Sequence, residues 1–429
     1  MREYYLEKLS ESEIQSLVSR PSNDFGEIVS SVREILNDVK ADRDRAVAKY
    51  SREFDGVELR RFVVTQQEIA EADSLLSPDV KQALRRAAAN IDTFHRLQIP
   101  KEVEVETAEG VYCRLVWRAI QRVGLYVPGG AAPLASTVLM LAIPARLAGC
   151  REIVLCTPPA KAGPPSPEIL YAASLCGVEN IYSVGGAQAI AAMGIGTETV
   201  PKVDKIFGPG NRFVVAAKAL ISQPPYDVAI DMLAGPSELV VVADETANPR
   251  WVAADLLSQA EHGADSQVVL VTNSTVVASC VQRELALQVE SLPRSRTIAR
   301  VLDQSLVIIV TELSEAMEFV NLYAPEHLML AVSDADRLTL EVTNAGSVFI
   351  GPHSSVVFGD YASGTNHTLP TGATAAAAGS LTVQSFMKPL AFQTVTGPGL
   401  RSLSKTVKLL ARAEGLEAHA RAVEIREGL

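Results

Sequence analysis

The sequence predicts an α/β protein with two Rossmann-like but incomplete lobes on mainly parallel sheets, a helical N-terminal region and an extended helical C-terminal tail. From about residue 120 onward, short β-branched runs alternate with stretches of helical periodicity, which is typical of parallel strands joined by crossover helices. The runs are IVLCT, NIYSVGG, KIFGPG, VAIDM, ELVVVAD, QVVLVT and LVIIVTE. Seven runs are too many for one compact unit, so we expect two lobes.

The segments on either side of these runs predict mostly helix. Apolar residues at helical spacing from Ile28 to Val39 begin a helical region over residues 27–99. The segment VEVETAEGVYCRLVWRAI alternates around a Glu-Gly turn and predicts a hairpin. The last thirty residues carry a helical apolar stripe from Leu403 to Ala413 but too little mass for a core. This tail should therefore pack on another lobe or another subunit.

The expected domain limits follow these changes of pattern. They are an N-terminal segment 1–26, a first α/β lobe of 27–125 plus 239–380, a second, Rossmann-like lobe 126–238, and a helical tail 381–429. An internal similarity supports two lobes, because VLMLAIPARLAGCREIVLCTPP and VAADLLSQAEHGADSQVVLVTN both run helix, glycine, short charged loop and buried strand.

The composition favours a globular protein and disfavours some partners. Of the 429 residues 48% are apolar, and 39 basic and 50 acidic side chains leave a net charge of −11. Because the two signs are mixed along the chain, we expect neither nucleic acid nor a membrane as the main partner. The most apolar stretch is interrupted by Pro144 and Arg146, and the N-terminus lacks the apolar core of a secretory signal. We expect a cytoplasmic protein.

The cysteines and two of the histidines predict structural roles. The five cysteines stand among apolar neighbours with no close pair, which favours buried, reduced thiols: Cys113, Cys150, Cys156, Cys176 and Cys280. His95 lies on an amphipathic helix, which favours packing, and His353 follows Gly-Pro in a loop, which favours solvation. Catalysis is therefore sought at other residues.

Gln259 and His262 form one candidate half of a metal site. Aligning Gly149 with Gly263 in the internal repeat sets both residues against alanines. At i and i+3 their side chains share one helical face and could converge on one ion. Glutamine is an unusual zinc ligand, and a histidine in the last turn before a glycine also suits the helix dipole. From spacing alone, the structural role is favoured.

Glu326 and His327 form a candidate acid–base pair. They follow Pro325 in YAPEHLML, and proline is favoured at the first helical position, so both would lie in a first helical turn. There the helix dipole would keep the imidazole neutral, as a general base requires. A capped surface helix explains the same residues equally well.

Further polar residues stand in loops and in the tail. Asp360 and His367 lie in the glycine-rich loop GDYASGTNHTLPT, a type of segment that often carries function. Glu414 and His419 lie in EGLEAHAR, which by itself is typical of a polar helix face. Glycine pairs end probable strands in VPGGAAP, SVGGAQA and FGPGNRF, but none is GxGxxG. Any dinucleotide should therefore bind in an unusual way.

Eight motifs, taken in order, strongly resemble histidinol dehydrogenase: GLYVPGG, VGGAQAIAA, VDKIFGPGN, DMLAGPSE, DLLSQAEHG, APEHL, GDYASGTNHTLPT and EGLEAH. The resemblance runs from about residue 120 to the end of the chain. It implies an enzyme that oxidises L-histidinol through L-histidinal to L-histidine with zinc and NAD, in the last two steps of histidine biosynthesis. It also implies an intertwined homodimer whose C-terminal segments complete the partner's sites.

The resemblance assigns a role to each matching residue. It implies one zinc ion per subunit, bound by Gln259, His262, Asp360 and His419. It implies that the substrate is held by these four, by His327, and by Ser237, His367 and Glu414. It places NAD in the second lobe, at Tyr126, Gln188 and Asn211. His327 would take the alcohol proton, and Glu326 would activate the water that attacks the aldehyde.

Two other interpretations stay open. A relative on the same scaffold could oxidise another small polyol, such as a sulfonated propanediol, although it would not need both His367 and Glu414. A nucleotide-binding module without catalysis would explain the glycine turns but not the Glu-His pair with scattered metal ligands. The sequence departs from the family's pattern in the alanine-rich GATAAAAGS and in Arg212 after Asn211.

Overall fold

The protein was studied as a computed structural model that describes residues 1–20, 25–58, 61–129, 133–160, 163–233 and 235–428. The strands are β1 Arg2–Tyr5, β2 Val103–Ala108, β3 Val111–Ala119, β4 Arg122–Tyr126, β5 Glu152–Thr157, β6 Asn180–Ser183, β7 Lys205–Phe207, β8 Ala229–Ile230, β9 Glu238–Ala243, β10 Gln267–Thr272, β11 Leu306–Ile309, β12 His327–Ala331, β13 Ser347–Ile350 and β14 Met387–Val395. Parts of the VPGGAAP and DMLAGPSE motifs lie outside the described residues.

The helices cover the sheets and link successive strands. They are α1 Glu11–Val18, α2 Phe25–Asp42, α3 Asp44–Tyr50, α4 Gln66–Leu75, α5 Pro78–Arg96, α6 Ala135–Ala148, α7 Pro167–Leu175, α8 Gly186–Ile195, α9 Arg212–Ile221, α10 Pro249–Ala260, α11 Thr275–Val289, α12 Ser295–Gln304, α13 Leu313–Tyr323, α14 Ala335–Thr339, α15 Val356–Tyr361, α16 Gly397–Ala413 and α17 Glu417–Glu427. All seven predicted β-branched runs contain a strand.

Two parallel sheets form the two lobes, which confirms the predicted fold class. The second-lobe sheet has the order β6-β5-β4-β7-β8, and all its neighbours are parallel. Counted from β4, this is the 3-2-1-4-5 order of a Rossmann sheet without its sixth strand. The first-lobe sheet, β1-β11-β10-β9-β12-β13, has the same order counted from β9, with β1 added beside β11. Its central strand β9 is buried along its whole length.

A small antiparallel sheet carries the C-terminal tail. The predicted hairpin is present as β2 and β3, and Gly110 takes a left-handed φ of 70° at its turn. The tail was predicted to be helical from residue 381, but it begins with strand β14, which pairs with β3. Helices α16 and α17 then pack on each other.

Helices α2 and α5 of the N-terminal region pack on the second lobe. Helix α2 contacts α8 and α9, and α5 contacts α6. Strand β4 likewise belongs to the second-lobe sheet. These contacts differ from the expected grouping of residues 27–125 with 239–380, and the domain limits themselves stay a prediction.

Several smaller expectations can be compared with the structure. None of the helices in the described ranges is long and apolar enough to cross a membrane; the cytoplasmic location stays a prediction.

All five cysteines are free thiols, but only Cys156 and Cys176 are buried. Burial raises the pKa of Cys176 to about 12, so it stays a thiol at neutral pH. His95 is fully buried, which agrees with its predicted packing role, and His353 is exposed, as its predicted position in a solvated loop requires.

Candidate active site

Glu326 and His327 lie at the amino end of a central strand. Helix α13 ends before Ala324, whose φ is 48°, and β12 begins at His327 between β9 and β13. The predicted helix start after Pro325 is therefore wrong. The run from His327 to Ala331 is wholly buried, and pairing on both sides of the strand overrides the local proline signal.

Both side chains are fixed by the main chain of one neighbour, Glu238. Its N–H donates to Glu326 Oε2 at 2.8 Å, and its carbonyl accepts from His327 Nδ1 at 3.0 Å. Nδ1 also lies 3.3 Å from Glu326 Oε2. His327 Nε2 is buried without a hydrogen-bond partner, 3.6 Å from Asp360 Oδ1. Nε2 is thus the ring nitrogen that can exchange a proton with a substrate.

Two carboxylates shape the titration of His327. Burial lowers the pKa of His327, but Glu326 and Asp360 outweigh burial and raise the pKa to about 10. Burial also acts to raise the pKa of Asp360, but its contacts with His327 hold that pKa below its usual range. The predicted neutral imidazole was inferred from a helix dipole that is absent here, and this arrangement favours the imidazolium.

A glycine allows the chain to pass close to this pair. Gly346 donates its N–H to the carbonyl of Pro325 at 2.9 Å, just before β13. A Cβ at Gly346 would lie 2.5 Å from the carbonyl oxygen of Glu326. A side chain there would push the acid–base pair out of position.

Asp360 is held on helix α15 through α10. Ser355, the N-cap residue of α15, donates its hydroxyl to the buried Asp255. Asp255 and Gln259 are four residues apart on α10, so they share a face of that helix. This contact places α15, which carries Asp360, against the helix that carries Gln259.

His367 links Asp360 to the second lobe. Its Nδ1 donates to the carbonyl of Asp360 at 2.8 Å, and its Nε2 lies 3.0 Å from the hydroxyl of Thr137, in the first turn of α6. Ser237 immediately precedes Glu238, and its carbonyl accepts from Gln267 at 3.1 Å. His367 and Ser237 therefore both lie next to residues that contact the acid–base pair.

Gln259 and His262 lie at the end of α10. Gln259 is buried, and its amide Nε2 has no hydrogen-bond partner. The helix ends at Ala260, and His262 continues it by one tight turn, with its N–H donating to the carbonyl of Gln259. His262 is exposed and near enough to Asp360 to lower the pKa of that carboxyl.

These donors fit a zinc ion that needs one more ligand. Imidazole nitrogen and carboxylate oxygen are usual zinc ligands, and the amide oxygen of Gln259 would be a third, less usual one. Within the described ranges, no three His, Cys, Asp or Glu side chains lie close enough to hold a metal. Of the four ligands that the resemblance implies, His419 lies outside this cluster.

The structure does not join Glu414 and His419 to this cluster. Both side chains are exposed, and His419 donates its N–H to Leu416 within the tail. Ion pairs such as Lys408 with Glu427 join α16 to α17 within the tail. The two predicted residues thus stand on a separate surface of the same chain.

The predicted NAD residues lie at the carboxyl end of the second-lobe sheet. Tyr126 ends β4, and its hydroxyl accepts from the N–H of Gly186, the first residue of α8, at 3.0 Å. Gln188 is fully buried; its Nε2 donates to Asp55 at 3.4 Å and its Oε1 has no partner. An unpartnered buried carbonyl beside a helix start suits a bound polar ligand.

Asn211 begins α9 at the end of the FGPGN loop. Its side chain caps the helix by accepting from the N–H groups of Phe213 and Val214. The loop is held by a buried ion pair between Lys218 and Asp231. Lys218 Nζ donates to the carbonyl of Gly208 at 2.9 Å, and Asp231 accepts from the Gly208 N–H at 2.7 Å.

Arg212, the first residue of α9, is exposed. Its guanidinium lies 5.5 Å from the ring centre of Phe213. The departure from the family's pattern therefore leaves the cap made by Asn211 in place.

The sequence analysis did not identify Glu238 and Asp255. Each is a carboxylate in an apolar setting, at the start of the strand ELVVVA and within the helix VAADLL. Charged residues are almost never fully buried unless they are paired. An acidic residue at a position that the sequence pattern predicts to be buried could therefore have marked Glu238 and Asp255 as candidates.

Comparison with known proteins identifies relatives along the whole chain. The family model for histidinol dehydrogenase matches residues 18–427. A histidinol dehydrogenase from Mannheimia succiniciproducens is 50% identical, with 97% of each chain covered. A chloroplastic histidinol dehydrogenase from Arabidopsis thaliana is 48% identical, covering 99% of this chain and 91% of that protein. The crystal structure of histidinol dehydrogenase from Elizabethkingia anophelis superimposes with a TM-score of 0.94 at 46% identity, covering 99% and 98% of the two chains.

Proposed function

Because the chain belongs to the histidinol dehydrogenase family, we propose that it oxidises L-histidinol through L-histidinal to L-histidine, with zinc and NAD. The observation that carries this proposal is the geometry of His327. Its Nδ1 is engaged by the Glu238 carbonyl, while its buried Nε2 has no partner and faces Asp360. A buried imidazole with one nitrogen free is suited to proton transfer.

Two bound groups would supply the remaining chemistry. Gln259, His262 and Asp360 of one subunit, with His419 of another, would hold zinc, and Tyr126, Gln188 and Asn211 would contact NAD. Zinc would orient the imidazole and amine of the substrate, and NAD would accept a hydride in each oxidation. Ser237, His367 and Glu414 would complete the contacts with the substrate.

The residues of the chain would move the protons. His327 Nε2, which has no hydrogen-bond partner, would accept the proton of the substrate's alcohol when the imidazole is neutral. Glu326 would take a proton from the water that adds to the aldehyde carbon. The hydrate formed by that addition is the species oxidised in the second step. No cysteine would take part, which agrees with the thiols of Cys156 and Cys176, because burial raises the pKa of both.

The test is the stoichiometry of purified, zinc-loaded protein with L-histidinol. We expect two NADH for each L-histidine formed, loss of turnover in His327→Asn and Glu326→Gln, and retention of the aldehyde-to-acid step in His327→Asn. Turnover of a sulfonated propanediol without turnover of L-histidinol would establish the alternative polyol enzyme. NAD binding with no alcohol oxidised would leave a nucleotide-binding module.

We also propose a homodimer with shared active sites. The donors of one chain are incomplete, and the two remaining residues, Glu414 and His419, are exposed on the tail. The tail exposes large apolar side chains as well: Leu409 is 61% exposed and Ile425 is 64% exposed. An exposed apolar surface of this kind is typical of a subunit interface.

Mixing inactive variants tests the shared site. His327→Asn and His419→Asn homodimers should each be inactive, but unfolding and refolding them together should restore about a quarter of the wild-type activity. This follows because about half of the dimers would be mixed, and each of these would contain one intact site of two. If each site were built from one chain, every mixed dimer would carry a defect in both sites, and no activity would return.

A further inference from the structure

One carboxylate at the start of β9 connects the acid–base pair to the rest of the molecule. Glu238 fixes Glu326 through its N–H and His327 through its carbonyl, as described above. The position of both side chains thus depends on where the Glu238 main chain lies. The Glu238 side chain is only 2% exposed, and its hydrogen bonds run to Arg20 and Gly372.

Arg20 holds that side chain in a paired geometry. Its Nε lies 2.7 Å from Glu238 Oε1, and its Nη2 lies 2.8 Å from Oε2, so both carboxylate oxygens are engaged. Oε1 also accepts from the N–H of Gly372 at 3.2 Å. Segments 218 and 134 residues away from Glu238 in sequence therefore meet on one carboxylate.

Arg20 is itself fixed on its other faces. Its Nη1 donates to the carbonyl of Val18 at 2.7 Å, and its guanidinium lies 3.7 Å from the ring centre of Tyr323. The Tyr323 hydroxyl donates to Gln267 Oε1 at 2.7 Å. The guanidinium therefore has one defined orientation.

Stability alone is a weak explanation for this arrangement. Removing two charges from water is costly, and apolar residues of similar volume often replace a buried ion pair without loss of stability. A forked pair instead gives a strict geometry, because two parallel hydrogen bonds fix both distance and angle. The chain carries that geometry at the residue whose main chain orients Glu326 and His327.

We propose that the Arg20–Glu238 pair is a positioning device for the reaction, which sets the orientation of Glu326 and His327 without touching the substrate. The proposal rests on the proposed catalytic roles of those two residues. The pair controls the rate of turnover and has no part in binding NAD, whose predicted contacts lie in the other lobe. Arg20 and Glu238 are therefore positioning residues rather than catalytic ones.

The experiment compares Arg20→Met, Glu238→Gln and the double variant of both. Each single change leaves one charge without its partner, either the buried Glu238 or the partly buried Arg20, so thermal stability and kcat should both fall. The double change removes both charges, so stability should return towards wild type while kcat stays about ten- to a hundredfold low, the cost of displaced catalytic groups. The KM for NAD and the zinc content should stay at wild-type values in all three.

Two further variants complete the design. Arg20→Lys keeps the charge but loses the fork, so kcat should be intermediate between wild type and Arg20→Met. Arg337→Met, which removes an exposed arginine 4.0 Å from Glu341 in the same lobe, is the matched control and should leave kcat unchanged. Recovery of kcat together with stability in the double variant would reduce the pair to a structural role and overturn the proposal.

Parallel assays separate this inference from the proposed function. If Glu326→Gln and His327→Asn keep full turnover, the proposed roles of these residues fail, and the inference fails with them. If those two variants lose turnover while the Arg20 and Glu238 variants keep wild-type kcat, only the positioning role is refuted.

Discussion

The two lobes have the same strand order but carry their candidate functional residues at opposite edges of the sheet. In the second lobe, Tyr126 ends β4 and Gly208 follows β7, so the predicted NAD residues stand at the carboxyl edge. In the first lobe, Glu238 and His327 begin β9 and β12, at the amino edge. Open parallel sheets usually bind ligands at the carboxyl edge, where the strand order reverses, and only the second lobe follows that rule.

Hydrogen bonds close the carboxyl edge of the first lobe. Asp244, directly after β9, accepts from the N–H and hydroxyl of Ser333 at 2.8 Å and from the N–H and hydroxyl of Thr246 at 2.9 and 2.5 Å. Its side chain therefore bridges the loops after β9 and β12. These two strands hold the same positions in the first sheet as β4 and β7 hold in the second. The same strand order thus carries predicted binding residues at the carboxyl edge in the second lobe and a hydrogen-bonded bridge at that edge in the first.

The contact between His367 and Thr137 shows which edges face each other. His367 follows α15 in the first lobe, and Thr137 lies in the first turn of α6, near the carboxyl edge of the second lobe. The amino edge of one sheet is thereby joined to the carboxyl edge of the other. Under the proposed function, this arrangement would bring Glu326 and His327 of one lobe towards a dinucleotide bound at the other.

The largest effect should follow from breaking the ion pair at the carboxyl edge of the second lobe. Lys218→Met leaves Asp231 buried and unpaired and frees the carbonyl of Gly208. We expect the free energy of unfolding to fall by about 3–5 kcal/mol. The affinity for NAD should also fall, because the loop before Asn211 loses its anchor. Urea unfolding and isothermal titration calorimetry with NAD would measure the two effects.

The control for this change is an exposed lysine of the same lobe. Lys202→Met removes an equal charge from the surface just before β7 and should alter neither quantity. Wild-type NAD affinity in Lys218→Met would show that the carboxyl-edge loop does not form the dinucleotide site, which would remove the contrast between the lobes.

The sequence predicts the sheets well because their signal is local. Each of the seven β-branched runs contains a strand, and the internal repeat corresponds to α6–β5 and α10–β10. The strand that carries the acid–base pair was missed, because Pro325 followed by two polar residues is also a helix-start signal. Strand β14 was missed because it is mostly exposed and pairs only with β3.

The candidate site was predictable in its residue types but not in its supports. Histidines and carboxylates in loops could be recognised one by one, and the structure places Glu326, His327, Asp360 and His367 together. The Arg20–Glu238 pair joins residues 218 positions apart, and no local pattern encodes such a contact. The burial of Glu238 and the partial burial of Arg20 exist only after folding.

The smallest effect should come from the closed edge of the first lobe. Burial acts to raise the pKa of Asp244, but the bonds from Ser333 and Thr246 outweigh it and hold that pKa below its usual range. A carboxyl whose folded pKa is lowered stabilises the protein above its unfolded pKa, and the contribution is lost as pH falls through the folded value. We therefore expect Asp244→Asn to lose about 1–3 kcal/mol of unfolding free energy at neutral pH. The difference from wild type should shrink as the pH falls below about 4.

Enzyme kinetics of Asp244→Asn would show whether the carboxyl edge of the first lobe takes part in binding. If hydrogen bonds merely close the edge, the KM for NAD and kcat at neutral pH should match wild type in Asp244→Asn, while urea unfolding across pH shows the loss of stability. A changed KM for NAD would mean that this edge also takes part in dinucleotide binding. The two lobes would then not differ in the edge of the sheet at which they bind ligands.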